Sequence, residues 1–246
     1  MELDHLVINV RDRMDDAART FEALGFLVTP PSLHTLGSLN RTVVFDTSYI
    51  ELLGFPPGKP PAARPELGAR AAGPLALVFR TADADATHRL LASGGFTPRP
   101  VQAFARPVSL GVGEARDARF RVTRLEPDAL PGAWIYFCQH LTPELIWRPQ
   151  WRQHPNRARA ITRIGVAVHD TAGALSRYSL ATGAALLHGS EPALRLADGC
   201  RIDFLRPDAS RAEGIATVRI RLADDAPGSV AHAMGLRLHL VPMAQS

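Results

Sequence analysis

The sequence predicts an α+β protein built from tandem β-α-β-β-β modules, and three observations predict it. An apolar strand-like run over residues 3–10 leads into a helix-like segment over 14–24 that stops at Gly25-Phe26. The same order returns from Leu75, where the helix-like segment stops at Gly94-Gly95-Phe96, and again from Ile161, where Gly183 closes the helix. The 246 residues then divide into about four such units of about 60, the last one short.

In the first module Ala17, Ala18, Phe21 and Leu24 recur at helical spacing and Gly25 is placed as a C-cap. A short strand is expected over 26–29, and longer ones over 41–46 and Tyr49–Gly54. The second module has a strand over 75–80, a helix over 82–93 with Thr81 or Asp83 as N-cap, and strands over 119–125 and Trp134–His140. The third has a strand over 161–168, a helix over 171–180, and strands over 194–196 and Arg201–Leu205. The fourth has strands over 215–222 and 236–241, with Pro227 and Gly228 interrupting any helix between them. The expected organisation is a first domain over 1–150 (modules 1–57 and 73–147) and a degenerate second half over 157–246 (modules 160–206 and 213–243). The Pro-, Ala- and Gly-rich stretch 56–74 reads as a loose connection. Residues 143–156, which carry Trp147 and Trp151, read as an ordered one, because tryptophans pack.

With 46% apolar and 21% charged residues the chain is not intrinsically disordered. No window approaches the roughly 20 apolar residues of a membrane span, and the first residues carry no secretion signal, so a cytoplasmic protein is expected. Cys138 and Cys200 are too few for a disulfide scaffold. The net charge of +4 invites nucleic acid, but the arginines are scattered among acids and Lys59 is the only lysine. That pattern reads as the bias of a GC-rich genome. The expected partner is a small molecule, with neither nucleic acid nor membrane.

His5 sits in an apolar strand with Leu3, His5 and Val7 on one face and Leu6, Ile8 and Val10 on the other. Glu51 is placed alike in Tyr49-Ile50-Glu51-Leu52-Leu53. If the first and last strands of the module are neighbours, both project from one face within reach of one divalent ion. Taken singly, a hydrogen-bonded core histidine and a solvated strand glutamate are the plainer readings. His140, on the same strand face as Tyr136 and Cys138, is the third ligand candidate, and Glu144 another. In the loop His34-Thr35-Leu36-Gly37-Ser38-Leu39-Asn40, His34 and Asn40 are candidate substrate contacts, with a plain turn as the alternative. Cys138 reads as a buried apolar residue. There is no P-loop or GxSxG elbow, and Leu110-Gly111-Val112-Gly113 is too weak for a dinucleotide site. His88, His154, His169, His188, His232 and His239 read as surface or capping residues.

The run Leu3-Asp4-His5-Leu6-Val7, the helix end Leu24-Gly25-Phe26, the His34/Gly37/Asn40 loop, Tyr49-Ile50-Glu51-Leu52 and the segment Phe137-Cys138-Gln139-His140-Leu141-Thr142-Pro143-Glu144 resemble the glyoxalase-like domain proteins of the vicinal oxygen chelate superfamily. The resemblance implies the glyoxalase/bleomycin resistance/dioxygenase fold, with paired modules forming cupped mixed sheets around a divalent metal. It implies Mn, Fe, Ni or Zn, held here by His5, Glu51 and His140, and a substrate with vicinal oxygens contacted by His34, Asn40 and Tyr136. Isomerase, lyase or dioxygenase chemistry follows, with Glu51 as the best carboxylate for a general base, and a homodimer is the habit of the superfamily. The sequence departs from the pattern where a paired module would supply its own His and Glu. Ala76 and Tyr136 stand there in the second module, and Arg163 and Asp203 in the third. The alternatives are a metal-free binding protein of the bleomycin-resistance type, with Trp134, Tyr136 and Trp147 lining an apolar pocket, and a structural module whose cleft is filled by side chains.

Overall fold

The computed structural model describes residues 1–111, 113–187, 189, 191–209 and 211–243; Val112 and His188 lie outside them. The first module runs β1 (Glu2–Arg11), α1 (Met14–Ala23), β2 (Ser32–Leu33), β3 (Leu39–Val44) and β4 (Tyr49–Gly54). A one-turn helix α2 (Glu66–Ala69) precedes the second module, which runs β5 (Gly73–Arg80), α3 (Ala84–Ser93), β6 (Gln102–Gly111), β7 (Glu114–Arg124) and β8 (Trp134–His140). The third runs β9 (Ala158–Ala167), α4 (Thr171–Thr182), β10 (Ala185–Leu187), β11 (Ala193–Arg195) and β12 (Arg201–Leu205). The fourth keeps β13 (Gly214–Leu222), β14 (Ser229–Ala233) and β15 (Leu236–Pro242), with no helix among its described residues. Asp83 caps α3 by accepting from the Asp85 and Ala86 amides, and Gly183 ends α4 in the left-handed conformation that glycine adopts without strain.

The modules pair into two curled mixed sheets. One has the order β2-β3-β4-β1-β5-β8-β7-β6, the other β10-β11-β12-β9-β13-β15-β14. In each, the first strands of two modules meet antiparallel at the centre, and each also pairs in parallel with the last strand of its own module. The helix-side faces of both sheets merge into one apolar core. It holds Leu6, Ile8, Phe21 and Phe45 from the first half with Ile164, Tyr178, Phe204 and Leu238 from the second.

Several expectations need correction. Residues 26–29 form no strand; Pro30 and Pro31 supply no amide hydrogens, and pairing begins at Ser32–Leu33. The sequence reading missed β6, which carries Pro107; the strand lies at the sheet edge, where a missing donor is tolerated. The stretch 56–74 is tied down rather than loose. The Asn9 amide donates to the Leu67, Arg70 and Ala71 carbonyls, and Arg64 and Leu67 are buried. His154 is no surface residue. It is buried, with Nδ1 accepting from the Leu27 amide and Nε2 donating to the Val44 carbonyl.

The facing of β1 also differs. Leu3 pairs with Phe79 and His5 with Val78, so Asp4 is an extra residue, a β-bulge. Leu3 therefore joins Leu6, Ile8 and Val10 on the helix side, while Asp4 and His5 both turn to the other face. The same bulge recurs at Leu75 in β5, Thr162 in β9 and Ala216 in β13.

Candidate functional site

Behind β1, away from the helices, the first sheet closes around a small cavity. His5, Glu51, Tyr49, Tyr136 and Cys138 reach it from the central strands, His34 from the β2–β3 turn, Asn40 from β3, Arg106 and Arg124 from β6 and β7, and Arg64 from the tied-down connection. The free space among them is about 30 Å³, room for an ion and its water.

The parallel register β1–β4 pairs His5 with Tyr49 and Val7 with Glu51, which brings His5 and Glu51 side by side. Nε2 of His5 stands 3.7 Å from Glu51 Oε2, and Nε2 of His34 stands 3.8 Å from Glu51 Oε1. Both separations are too long for hydrogen bonds. The other ring nitrogens are committed: His5 Nδ1 donates to Asp4 Oδ1 at 2.6 Å, and His34 Nδ1 bonds the Ser38 hydroxyl at 2.8 Å. The Asn40 amide donates to Glu51 Oε1 at 3.0 Å. Tyr49 stacks on the His5 ring with centroids 4.3 Å apart, and the Phe104 ring meets His34 edge-on.

Burial alone would raise the Glu51 carboxyl, but His5, the Asn40 amide and Arg64 outweigh it and hold the group below its usual range. Burial, assisted by Arg106, Arg64 and His5, lowers His34 to about 3 despite Glu51, so its imidazole is neutral. Asp4 is fully buried, which would raise it, yet His140 and His5 hold it well below the carboxylate range.

His140 does not join His5 and Glu51 as the third ligand. Its Nε2 lies 2.9 Å from both oxygens of Asp4, on the far side of that carboxylate from His5. Asp4 also accepts from Arg80 Nε at 3.1 Å. Asp4, Cys138 and His140 could themselves surround an ion. That set fits poorly, because burial pushes the Cys138 thiol well up and both Asp4 oxygens are already taken. Asn40 reaches the cavity wall, where its amide holds one oxygen of Glu51. Glu144 lies at the surface with Arg116. Tyr136 does face the cavity, where Arg64 Nη2 donates to its hydroxyl at 3.4 Å.

The pocket is mixed, with Val78, Phe104, Phe120 and Val122 among the lining, but it is not the tryptophan-lined one expected. The Trp134 indole donates to the Leu125 carbonyl, Trp147 packs on His140 and Tyr49, and neither lines the cavity. Three guanidinium groups line it instead. Arg64 pairs with Glu66, Arg124 donates to Gln102 and lies over Tyr136, and Arg106 is 8% exposed with no hydrogen-bond or ion-pair partner among the described residues. Sequence reasoning missed these arginines because β6 was not recognised and the connection looked loose. It missed Asp4 because simple alternation points it at the helices.

A sequence model described as glyoxalase-like domain matches residues 3–182. No curated protein matches the sequence. Among solved structures, a hypothetical protein from Staphylococcus aureus superposes with a TM-score of 0.80 at 13% identity, covering 98% of this chain and 99% of that one. A xylose isomerase-like TIM barrel/4-hydroxyphenylpyruvate dioxygenase fusion protein gives 0.60 at 14% identity, over 91% of this chain and 36% of that one. A variant of 4-hydroxymandelate synthase from Streptomyces coelicolor gives 0.55 at 14% identity, over 91% of this chain and 71% of that one. At these identities the likeness is one of fold. The modules, their pairing and the match over most of the sequence together make the chain a member of the glyoxalase-like domain family of the vicinal oxygen chelate superfamily.

Proposed function

We propose that the first cup holds a divalent metal ion between His5, His34 and Glu51 and acts on a small oxygenated substrate that carries an anionic group. One observation carries this reading. Two imidazole nitrogens face the Glu51 carboxylate at 3.7 and 3.8 Å, with no hydrogen-bond partner among the described residues, while their partner nitrogens are fixed by Asp4 and Ser38. A carboxylate and two such nitrogens are donors that suit a cation, and an ion there would draw them inward, because as placed the three ligand atoms do not all lie within 4.8 Å of one another. A ring N–H donated to a carboxylate is the usual support of a metal-binding histidine. Two histidines and one carboxylate fit Mn, Fe, Ni or Zn. The bound metal would supply Lewis acidity toward two adjacent substrate oxygens.

The residues around it have separable tasks. Asp4 fixes the His5 tautomer with Nδ1 protonated, leaving Nε2 toward Glu51. The Asn40 amide holds one Glu51 oxygen, so the carboxylate cannot swing away. Because its carboxyl is held below the usual range, Glu51 is a weak proton acceptor and serves as a ligand better than as a general base. Arg106 supplies a buried, unpaired positive charge, which is unfavourable unless an anion meets it. A substrate carboxylate beside Tyr136 and Arg124 would do so.

The three arginines on the wall of this narrow cavity, Arg64, Arg106 and Arg124, favour a second reading: a metal-free protein that binds a small anion. Metal analysis of protein purified without chelators or a metal-affinity tag separates the two. The enzyme reading expects a stoichiometric divalent metal, lost in His5→Ala and in Glu51→Ala with the fold retained. If no metal binds even after reconstitution, that reading is overturned and the binding protein takes its place.

A further inference from the structure

The second sheet repeats the cup, and its register puts Arg163 where His5 stands and Asp203 where Glu51 stands. A row of four arginines ending on a histidine crosses it. Arg195 on β11 pairs with Arg201 on β12, Arg201 with Arg163 on β9, Arg163 with Arg219 on β13, and Arg219 with His239 on β15. Directly paired residues share a face, so these five side chains stand side by side over about 19 Å at the usual strand spacing. The face is the one away from the helices, since Leu194, Ile202, Ile164, Val218 and Leu238 beside them lie in the core.

Like charges directly opposite one another destabilise a sheet, and this sheet pairs arginine with arginine three times in succession. One carboxylate answers them: Asp203, nearly fully buried, binds Arg163 and Arg201. Arg195 and Arg219 have no side-chain partner among the described residues. The field of Arg237, Arg219 and Arg163, added to burial, pushes His239 down. A solvated sheet face would ordinarily mix both signs of charge. At the β13–β15 end, Thr217, Arg237, His232 and Arg211 line a cavity of about 370 Å³, the size of a small-molecule pocket.

We propose that this second face is a binding site for a small molecule bearing an oligophosphate chain, which lies along the arginine row. Arginine rather than lysine suits phosphate, because the guanidinium fork meets two oxygens at once. A chain of successive anionic groups matches a linear row as a single carboxylate cannot. The adjacent cavity accommodates the rest of one small molecule, which sets this ligand apart from a nucleic-acid strand.

The test is calorimetric titration and thermal unfolding with inorganic tripolyphosphate at constant ionic strength. A His5→Ala background keeps the first cup from contributing through metal. The parent is expected to bind one equivalent and to unfold at higher temperature with the ligand. Arg219→Gln removes a cation that has no carboxylate partner, so it is expected to unfold at a higher temperature than the parent without ligand and to bind at least tenfold more weakly. Arg163→Gln is expected to weaken binding similarly, while Arg19→Gln, on the exposed side of α1, changes nothing. Unchanged binding by Arg219→Gln overturns the proposal. So does tighter binding of a single-stranded oligonucleotide than of tripolyphosphate, which would make the face a nucleic-acid surface.

Discussion

Replacing Asp4 by asparagine tests the support of the proposed metal site without touching a ligand. Asp4 is wholly buried and accepts from His5 Nδ1 at 2.6 Å, His140 Nε2 at 2.9 Å and Arg80 Nε at 3.1 Å. Asparagine keeps one acceptor oxygen but turns an NH₂ toward groups that are themselves donors. Two charge-assisted bonds are lost, each worth about 1.5–3 kcal/mol. Arg80 recovers part of this, because it also reaches Glu2 and is 31% exposed. A net loss of about 3 kcal/mol is expected, readable as a lower urea midpoint in metal-free protein. Freed of Asp4, the His5 ring loses its fixed tautomer, and metal affinity is expected to fall about 10–100-fold, or about 1.4–2.7 kcal/mol. Titration with Zn or Mn measures it. If the folded variant binds metal within twofold of the parent, Asp4 does not orient the ligand and the site has been misread.

Three further outcomes are expected. His154 must be neutral to accept from Leu27 and donate to Val44, and burial with Arg159 lowers it despite Val44; in the unfolded chain it titrates near about 6.5, so its contribution is intact above that pH and is lost as pH falls below it. His154→Gln should flatten this acid slope in pH-dependent urea unfolding, and an unchanged slope would assign it elsewhere. Gly132 has φ +80°, and a Cβ there would stand 2.5 Å from Val166 Cγ1, so Gly132→Ala should destabilise by about 2 kcal/mol or more, measured by thermal unfolding. The shared core makes the two halves unfold together: fluorescence from Trp134, Trp147 and Trp151, all in the first half, should coincide with the far-ultraviolet dichroism of the whole chain in urea, and separated transitions would contradict one core.

The module pattern was legible because helix period, strand runs and glycine stops repeat, and local signals suffice for that. His5 and Glu51 were legible together because both are polar side chains in otherwise apolar strands of one module. What was not legible depends on register. His34 reaches Glu51 through a turn whose path no periodicity encodes. Arg106 sits on an edge strand disguised by Pro107, and Arg64 in a stretch whose anchor is the Asn9 side chain, 55 residues earlier in the chain. His140 lay on the expected face, but Asp4 stands between it and His5.

The bulge at the start of each module's first strand has a consequence for how such chains can change. One extra residue sets which side chains enter the cup, so a one-residue deletion between Leu3 and Leu6 would exchange the cup and core faces of everything before it. Substitution leaves the register, and so the facing of the neighbouring side chains, as it was. The positions behind the four bulges hold His5, Ala76, Arg163 and Thr217, four unlike chemistries on one unvaried spacing. Descent in this fold can rewrite what a cup binds far more readily than it can move the place where binding occurs.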